Sequence, residues 1–104
     1  MTASSARAVP VALCFPAPAG RLDAWGRFME LFASGGKVAS LALLERGEKL
    51  ALSFEVGDEA FKALSAEIID ARQDADGYYW AELRFLDEVE KRRLSRALLD
   101  ILSR

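Results

Sequence analysis

The chain has 104 residues, a formal charge of −2 at pH 7, 52% apolar residues and no histidine. That suits one domain with a real core and excludes wholesale disorder. The basic residues are scattered, which argues against a nucleic-acid surface with its clustered cationic face. The missing histidine removes the commonest general base and the commonest transition-metal ligand.

The opening "MTASSARA", residues 1–8, is small and polar and lacks the apolar stretch of a secretory signal. It is expected to be a flexible segment preceding a domain over 9–104. No apolar run is long enough to span a bilayer. Cys14 is the single cysteine and cannot form an internal disulfide, which fits a reducing compartment. These features predict a cytoplasmic protein without membrane insertion.

"VPVALCFP", Val9 to Pro16, predicts a first strand, with Val9, Val11, Leu13 and Phe15 on one face at the two-residue period. "APAGRLD" predicts a turn. "AWGRFMELFA", Ala24 to Ala33, predicts a second strand. Trp25, Arg27, Met29 and Leu31 share one face and Phe28 and Phe32 the other, so both sides are expected to be covered. Gly35-Gly36 reads as a turn, since glycine supplies the positive φ that turns need. "KVASLALL" predicts a short third strand anchored by Val38 and Leu41.

"ERGEK" turns the chain at Gly47, and "LALSFEV" is the clearest strand, with Leu50, Leu52, Phe54 and Val56 pointing one way. "FKALSAEIIDA" has spacing compatible with a helix. The flanking Gly57 and the "DADG" turn make it one arm of a hairpin instead. "YYWAELRF" is the other arm, with Tyr79, Ala81, Leu83 and Phe85 inward and Tyr78, Trp80, Glu82 and Arg84 outward.

The period then changes. Asp87 with Glu90 predicts a capping box, followed by an apolar stripe of Val89, Leu94, Ala97, Leu98, Ile101 and Leu102. Lys91, Arg92, Arg96 and Arg104 fall on the outer face. The sum is about six strands and one helix, predicting a mainly β fold: a small antiparallel barrel capped by its C-terminal helix.

Chemistry-bearing patterns are sparse. No phosphate-binding or dinucleotide fingerprint is present, and the acidic residues show no paired spacing in an apolar setting. Cys14 reads as a small core residue rather than a nucleophile. "EKRR", Glu90 to Arg93, reads as a solvated helix face rather than a docking patch. Tyr78 and Trp80 suit sheet pairing, or stacking against a ligand or partner.

Taken in order, the segments "RAVPVALCF", "WGRFMELFASGGKVAS", "LLERGEKLALSFEV" and "YYWAELRFLDEVEKRRLSRALLDIL" resemble a PilZ domain over nearly the whole chain. The resemblance implies a six-stranded antiparallel barrel with a C-terminal helix, and a family generally built to bind cyclic di-GMP. Family members do so through an RxxxR motif near the N-terminus and a DxSxxG motif after the second strand. Arginine forks hold phosphate and guanine edges, and the loop's acid, hydroxyl and glycine add polar contacts and close approach.

Here those motifs are eroded. Arg7 matches the second arginine, but Ala3 stands at the first; Leu31 and Ala33 occupy the aspartate and serine positions, and Gly36 keeps the final glycine. A one-residue shift brings Glu30 near the acidic position but displaces the glycine. Each lost charged hydrogen bond is worth about 1.5–3 kcal/mol. The resemblance therefore implies a non-enzymatic adaptor in bacterial signalling, in motility or type IV pilus control. It would act through a protein partner as a monomer or weak homodimer, with no cofactor and no nucleic acid. Ser34, Gly35, Lys37, Tyr78 and Trp80 are the candidate contact residues, and Arg7 and Gly36 the remnant of the ligand site. The alternative is a cyclic di-GMP receptor with a reduced motif.

Overall fold

The computed structural model describes residues 9–103. The expected segment 1–8, with Ala3 and Arg7, lies outside the described residues, as does Arg104. Six strands run β1 (Val9–Cys14), β2 (Ala24–Phe32), β3 (Gly35–Ser40), β4 (Lys49–Val56), β5 (Glu59–Gln73) and β6 (Tyr79–Phe85), followed by helix α1 (Glu88–Leu102). They close into an antiparallel barrel in the order β1-β2-β3-β6-β5-β4, as the alternating apolar pattern predicts.

The alternation carries directly into the core. Val11, Leu13, Leu52, Phe54, Val56, Ala81, Leu83 and Phe85 are all buried inside the barrel. Phe28 meets Phe54 edge-on at 4.9 Å between centroids, and Phe54 stacks on Phe61 at 5.2 Å. Such pairs add cohesion beyond the area they bury.

Gly35 and Gly36 are not a turn. The turn is Ala33-Ser34, and both glycines lie within β3. Their need for glycine is steric rather than conformational. A Cβ on Gly35 would lie 2.0 Å from the Leu83 carbonyl oxygen, and one on Gly36 would lie 2.5 Å from that of Glu30. The sheet closes tightly here, between β2 on one side and β6 on the other.

A bulge between Phe28 and Glu30 resets β2. Before it Phe28 faces the core; after it Leu31 packs inward, while Phe32 turns out and is half-exposed. The expected sharing of one face by Phe28 and Phe32 therefore fails. Trp25 is exposed, so this strand is covered on one side only. Leu41, expected as an anchor, lies beyond the end of β3 and is exposed, whereas Val38 is fully buried. The segment after β1 forms a single 3-10 turn, Ala17–Ala19, and Gly47 turns the chain at φ +86°. Cys14 is half-buried on the outer side of β1 rather than in the core; partial burial and the nearby Asp23 push its thiol pKa up.

Asp87 caps α1, its carboxylate accepting from the Glu90 N–H at 3.1 Å. The Glu90 carboxylate accepts from Arg93 at 2.7 Å. The helix buries only Leu94 and Ala97 fully, with Leu98 packed alongside. Val89 and Leu102, assigned to the core stripe from spacing, face solvent. Arg93 is not part of a solvated face. It lies over the Phe61 ring and donates to Glu59 and to the Ala60 carbonyl, fastening α1 to the start of β5.

Candidate functional site

The register of the barrel arranges the outward residues of β2, β3, β6 and β5 in rows. Arg27, Ala39, Trp80 and Arg72 form one; Glu30, Lys37, Glu82 and Asp70 the next; Phe32, Gly35, Arg84 and Glu67 the third. Small residues on β3, Ala39 and Gly35, leave the face recessed between its longer neighbours.

Two clefts follow from that relief. One, of about 190 Å³, is lined by Lys37, Asp70, Arg72, Trp80 and Glu82 among others. The other, of about 250 Å³, is bounded by Phe32, Ser34, Gly35, Gly36, Ile69 and Arg84. Lys37 and Glu82 line both, so the clefts adjoin. Most of the residues singled out from sequence thus meet on one face: Ser34, Gly35, Gly36 and Lys37 from the β2–β3 side, and Trp80 from β6. Tyr78 lies apart, in the β5–β6 turn, where its carbonyl accepts from the Asp74 N–H at 2.9 Å. Arg7 is outside the described residues.

Trp80 is held rather than free. Its indole N–H donates to Asp74 at 2.7 Å, tying the β6 side chain to the hairpin turn. That bond, foremost, holds the Asp74 carboxyl below the usual carboxylate range, aided by the Asp76 and Tyr78 N–H groups. The turn also uses Gly77 at φ +90°. Trp80 therefore offers a positioned ring surface at the mouth of the first cleft.

The charges on this face are partly matched. Glu30 and Lys37 approach to 3.9 Å, and Arg84 pairs with Glu67 at 2.6 Å. Asp70 and Glu82 stand directly opposite each other across β5 and β6. Neither forms an ion pair with a described residue. The glycine-bearing cleft is lined by Phe32, Ile69 and Leu83 together with Ser34, Lys37, Glu82 and Arg84. Leu31, at the expected aspartate position, packs toward the core, and Ala33 carries no hydroxyl. The Glu30 carboxylate is on the outer face, against Lys37.

Sequence reasoning missed Phe32, Asp70 and Arg72 as cleft residues. Phe32 is turned outward by the β2 bulge. Asp70 and Arg72 follow a second bulge, between Ile68 and Asp70, which single-sequence alternation does not reveal.

Solved structures share this architecture, and two of them illustrate the likeness. The crystal structure of YcgR in complex with c-di-GMP from Escherichia coli matches with TM-score 0.70 and 16% identity, over 91% of this chain and 42% of that one. The fold is that of a PilZ domain. The separate PilZ domain of the same protein, with c-di-GMP, matches with TM-score 0.68 and 16% identity, over 89% of this chain and 80% of that one. No family model and no curated protein matches the sequence. The chain spans about two fifths of the length of the YcgR chain in that crystal structure. Helix α1, predicted from its cap and apolar stripe, completes the PilZ-type barrel seen here.

Proposed function

We propose that this PilZ-fold chain is a non-enzymatic adaptor in cyclic di-GMP-linked bacterial signalling. It acts through protein contacts in motility or type IV pilus control, and it does not itself bind the nucleotide. One observation carries the reading: at the β2–β3 connection the fold is intact, but Leu31 packs inward and Ala33 stands where a hydroxyl is needed. A bis-anionic ligand placed there would lack the acid and hydroxyl contacts of the motif, and the nearby cations Lys37 and Arg84 already stand against Glu30 and Glu67. The lack of histidine in the sequence supports the non-enzymatic part.

The contact surface in this reading is the double cleft bearing Ser34, Gly35, Gly36, Lys37 and Trp80. It offers an aromatic ring, apolar surface and charges of both signs, the mixture found at protein interfaces. Tyr78 lines neither cleft and stays apart in the β5–β6 turn.

The second reading, a receptor with a reduced motif, has its own observation: both matched structures were solved with c-di-GMP. Titration calorimetry separates the two. Absence of heat at high micromolar nucleotide is expected; micromolar binding abolished by Arg7→Ala would establish the receptor. For the adaptor, Lys37→Gln, which removes the charge without adding a fourth carboxylate to the row of Glu30, Glu82 and Asp70, should weaken partner capture in a pull-down while leaving the melting temperature near wild type.

A further inference from the structure

Across the barrel from β3 and β6, which carry the double cleft, the wall is closed by β1 and β4. Their pairing is short, confined to Ala12–Ser53, Leu13–Leu52 and Cys14–Ala51. Beyond Ser53 the two strands are no longer paired. A bulge in β5 stands opposite the same serine, with Ala63 at φ +54° and its N–H donating to the Ser53 hydroxyl at 3.0 Å. The outer surface here is a groove of about 500 Å³, with Pro10, Ala12, Ser53, Gly57 and Ala60 supplying small residues to its lining.

One large ring and two charges also line this groove. Trp25 is 72% exposed, and the backbone that carries it is fixed by the Ser40 hydroxyl, which donates to the Trp25 carbonyl at 2.7 Å. Glu55 and Lys62 are exposed on the neighbouring strands β4 and β5. Glu55 stands opposite Ala60, so the two charges are offset, and neither forms an ion pair with a described residue. One patch therefore holds a projecting ring, a recess of small residues and one unpaired charge of each sign.

We propose that this patch is the interface of a two-fold homodimer. Trp25 of each copy rests on the small residues of the other, and Glu55 of each copy pairs with Lys62 of the other. A two-fold interface is isologous, so a single patch must supply both halves of every contact. This patch does: ring and recess, acid and base. Burial of the two rings carries the affinity, and the two symmetric ion pairs fix the register. Other occupants match it less well. An acidic partner, or an anionic bilayer, would set its charge against Glu55, and a basic partner would set its own against Lys62. Residues 1–8 of the same chain contain no acid and would leave Lys62 unmatched. The inference goes beyond the adaptor reading and does not depend on it, because the double cleft stays open in such a dimer.

Sedimentation equilibrium on the full chain tests it. A monomer–dimer equilibrium with a micromolar constant is expected, and Trp25→Ala should abolish it. Glu55→Lys alone and Lys62→Glu alone should each weaken association about tenfold or more, since both symmetric pairs are lost at once. Mixed in equal amounts, these two variants should associate with each other at near wild-type strength, because each presents the charges that the other lacks. The double reversal within one chain should restore the homodimer in the same way. No foreign occupant of the groove produces that rescue. All three positions are exposed, and unchanged melting confirms folding. A chain that stays monomeric well above micromolar concentration overturns the proposal. So does a dimer indifferent to Trp25→Ala, or a mixture of the two charge variants that fails to associate. Lys37→Gln should leave the dimer unchanged, so loss of partner capture and loss of self-association are separate readouts.

Discussion

The guanidinium carbon of Arg93 lies 4.3 Å from the centroid of the Phe61 ring, while the same group bonds Glu59, Glu90 and the Ala60 carbonyl. One side chain thus joins α1 to the aromatic core and to the first residues of β5. Its aliphatic stem and flat head allow it to cover an apolar ring and still face water.

Arg93→Ala should therefore destabilise the domain by about 1–2 kcal/mol, combining a partly exposed cation–π contact with lost hydrogen bonds. Arg93→Lys should recover only part of this, since an ammonium cannot reproduce the fork. Urea unfolding curves measure both, and an alanine variant of wild-type stability would show that α1 is held by its apolar contacts and cap without Arg93.

Gly35→Ala should cost more than Gly77→Ala. The first places a methyl 2.0 Å from a backbone oxygen, while the second meets nothing within 4 Å and bears only the strain of φ +90°. Backbone cannot move aside as a flexible side chain can, so about 2–3 kcal/mol or more is expected for Gly35 and about 1 kcal/mol for Gly77. Gly36→Ala, at 2.5 Å from the Glu30 oxygen, should fall with Gly35. The ranking is read from denaturant midpoints.

The Asp74–Trp80 bond predicts a response to acid. The folded-state pKa of Asp74 is lowered, first by the indole N–H. Its stabilisation is therefore present above the unfolded carboxylate pKa and is lost as pH falls through the folded value. In an NMR titration the Trp80 indole N–H signal should shift below about pH 4, while that of Trp25 stays put. Asp74→Ala should remove the shift; a Trp80 signal indifferent to acid in the unmodified chain would contradict the bond.

Leu31→Asp should destabilise the barrel by about 1–2 kcal/mol, because a half-buried side chain packed on the core becomes a carboxylate. Ala33→Ser, in the exposed part of the connection, should be within about 0.5 kcal/mol of wild type. Thermal melts decide this. A fully stable Leu31→Asp would mean that the position tolerates the polar motif and that its loss here has no packing basis.

Much of this was readable from the chain. The alternation in "LALSFEV" and "YYWAELRF" placed β4 and β6 with the correct faces inward, and Asp87 marked the helix start to the residue. The misreadings are non-local in origin. A bulge near Met29 shifts the two-residue period, so Phe32 turns outward without any local signal, and a second near Ile69 sets the face of Asp70 in the same way. Gly35-Gly36 looked like a turn because glycine's freedom is a local property. Its actual cause, a carbonyl on a strand about fifty residues later in sequence for Gly35, is not. The same holds for Arg93, whose partners come from β5. In the candidate site, Ser34, Gly36, Lys37 and Trp80 were found from sequence, whereas the opposition of Asp70 and Glu82 depends on register alone.

The circular strand order has a consequence for recognition. Each strand, from β1 through β4, is hydrogen-bonded on both sides among the described residues. No whole strand edge is left open for an incoming peptide to extend the sheet; unpaired sides are confined to short stretches such as 9–11 of β1 and 54–56 of β4, where the seam between them pairs at three positions only. Recognition should rely mainly on side chains and their relief. Affinity for any partner should therefore be selective and sensitive to single substitutions, and the barrel itself should resist edge-to-edge aggregation even when concentrated.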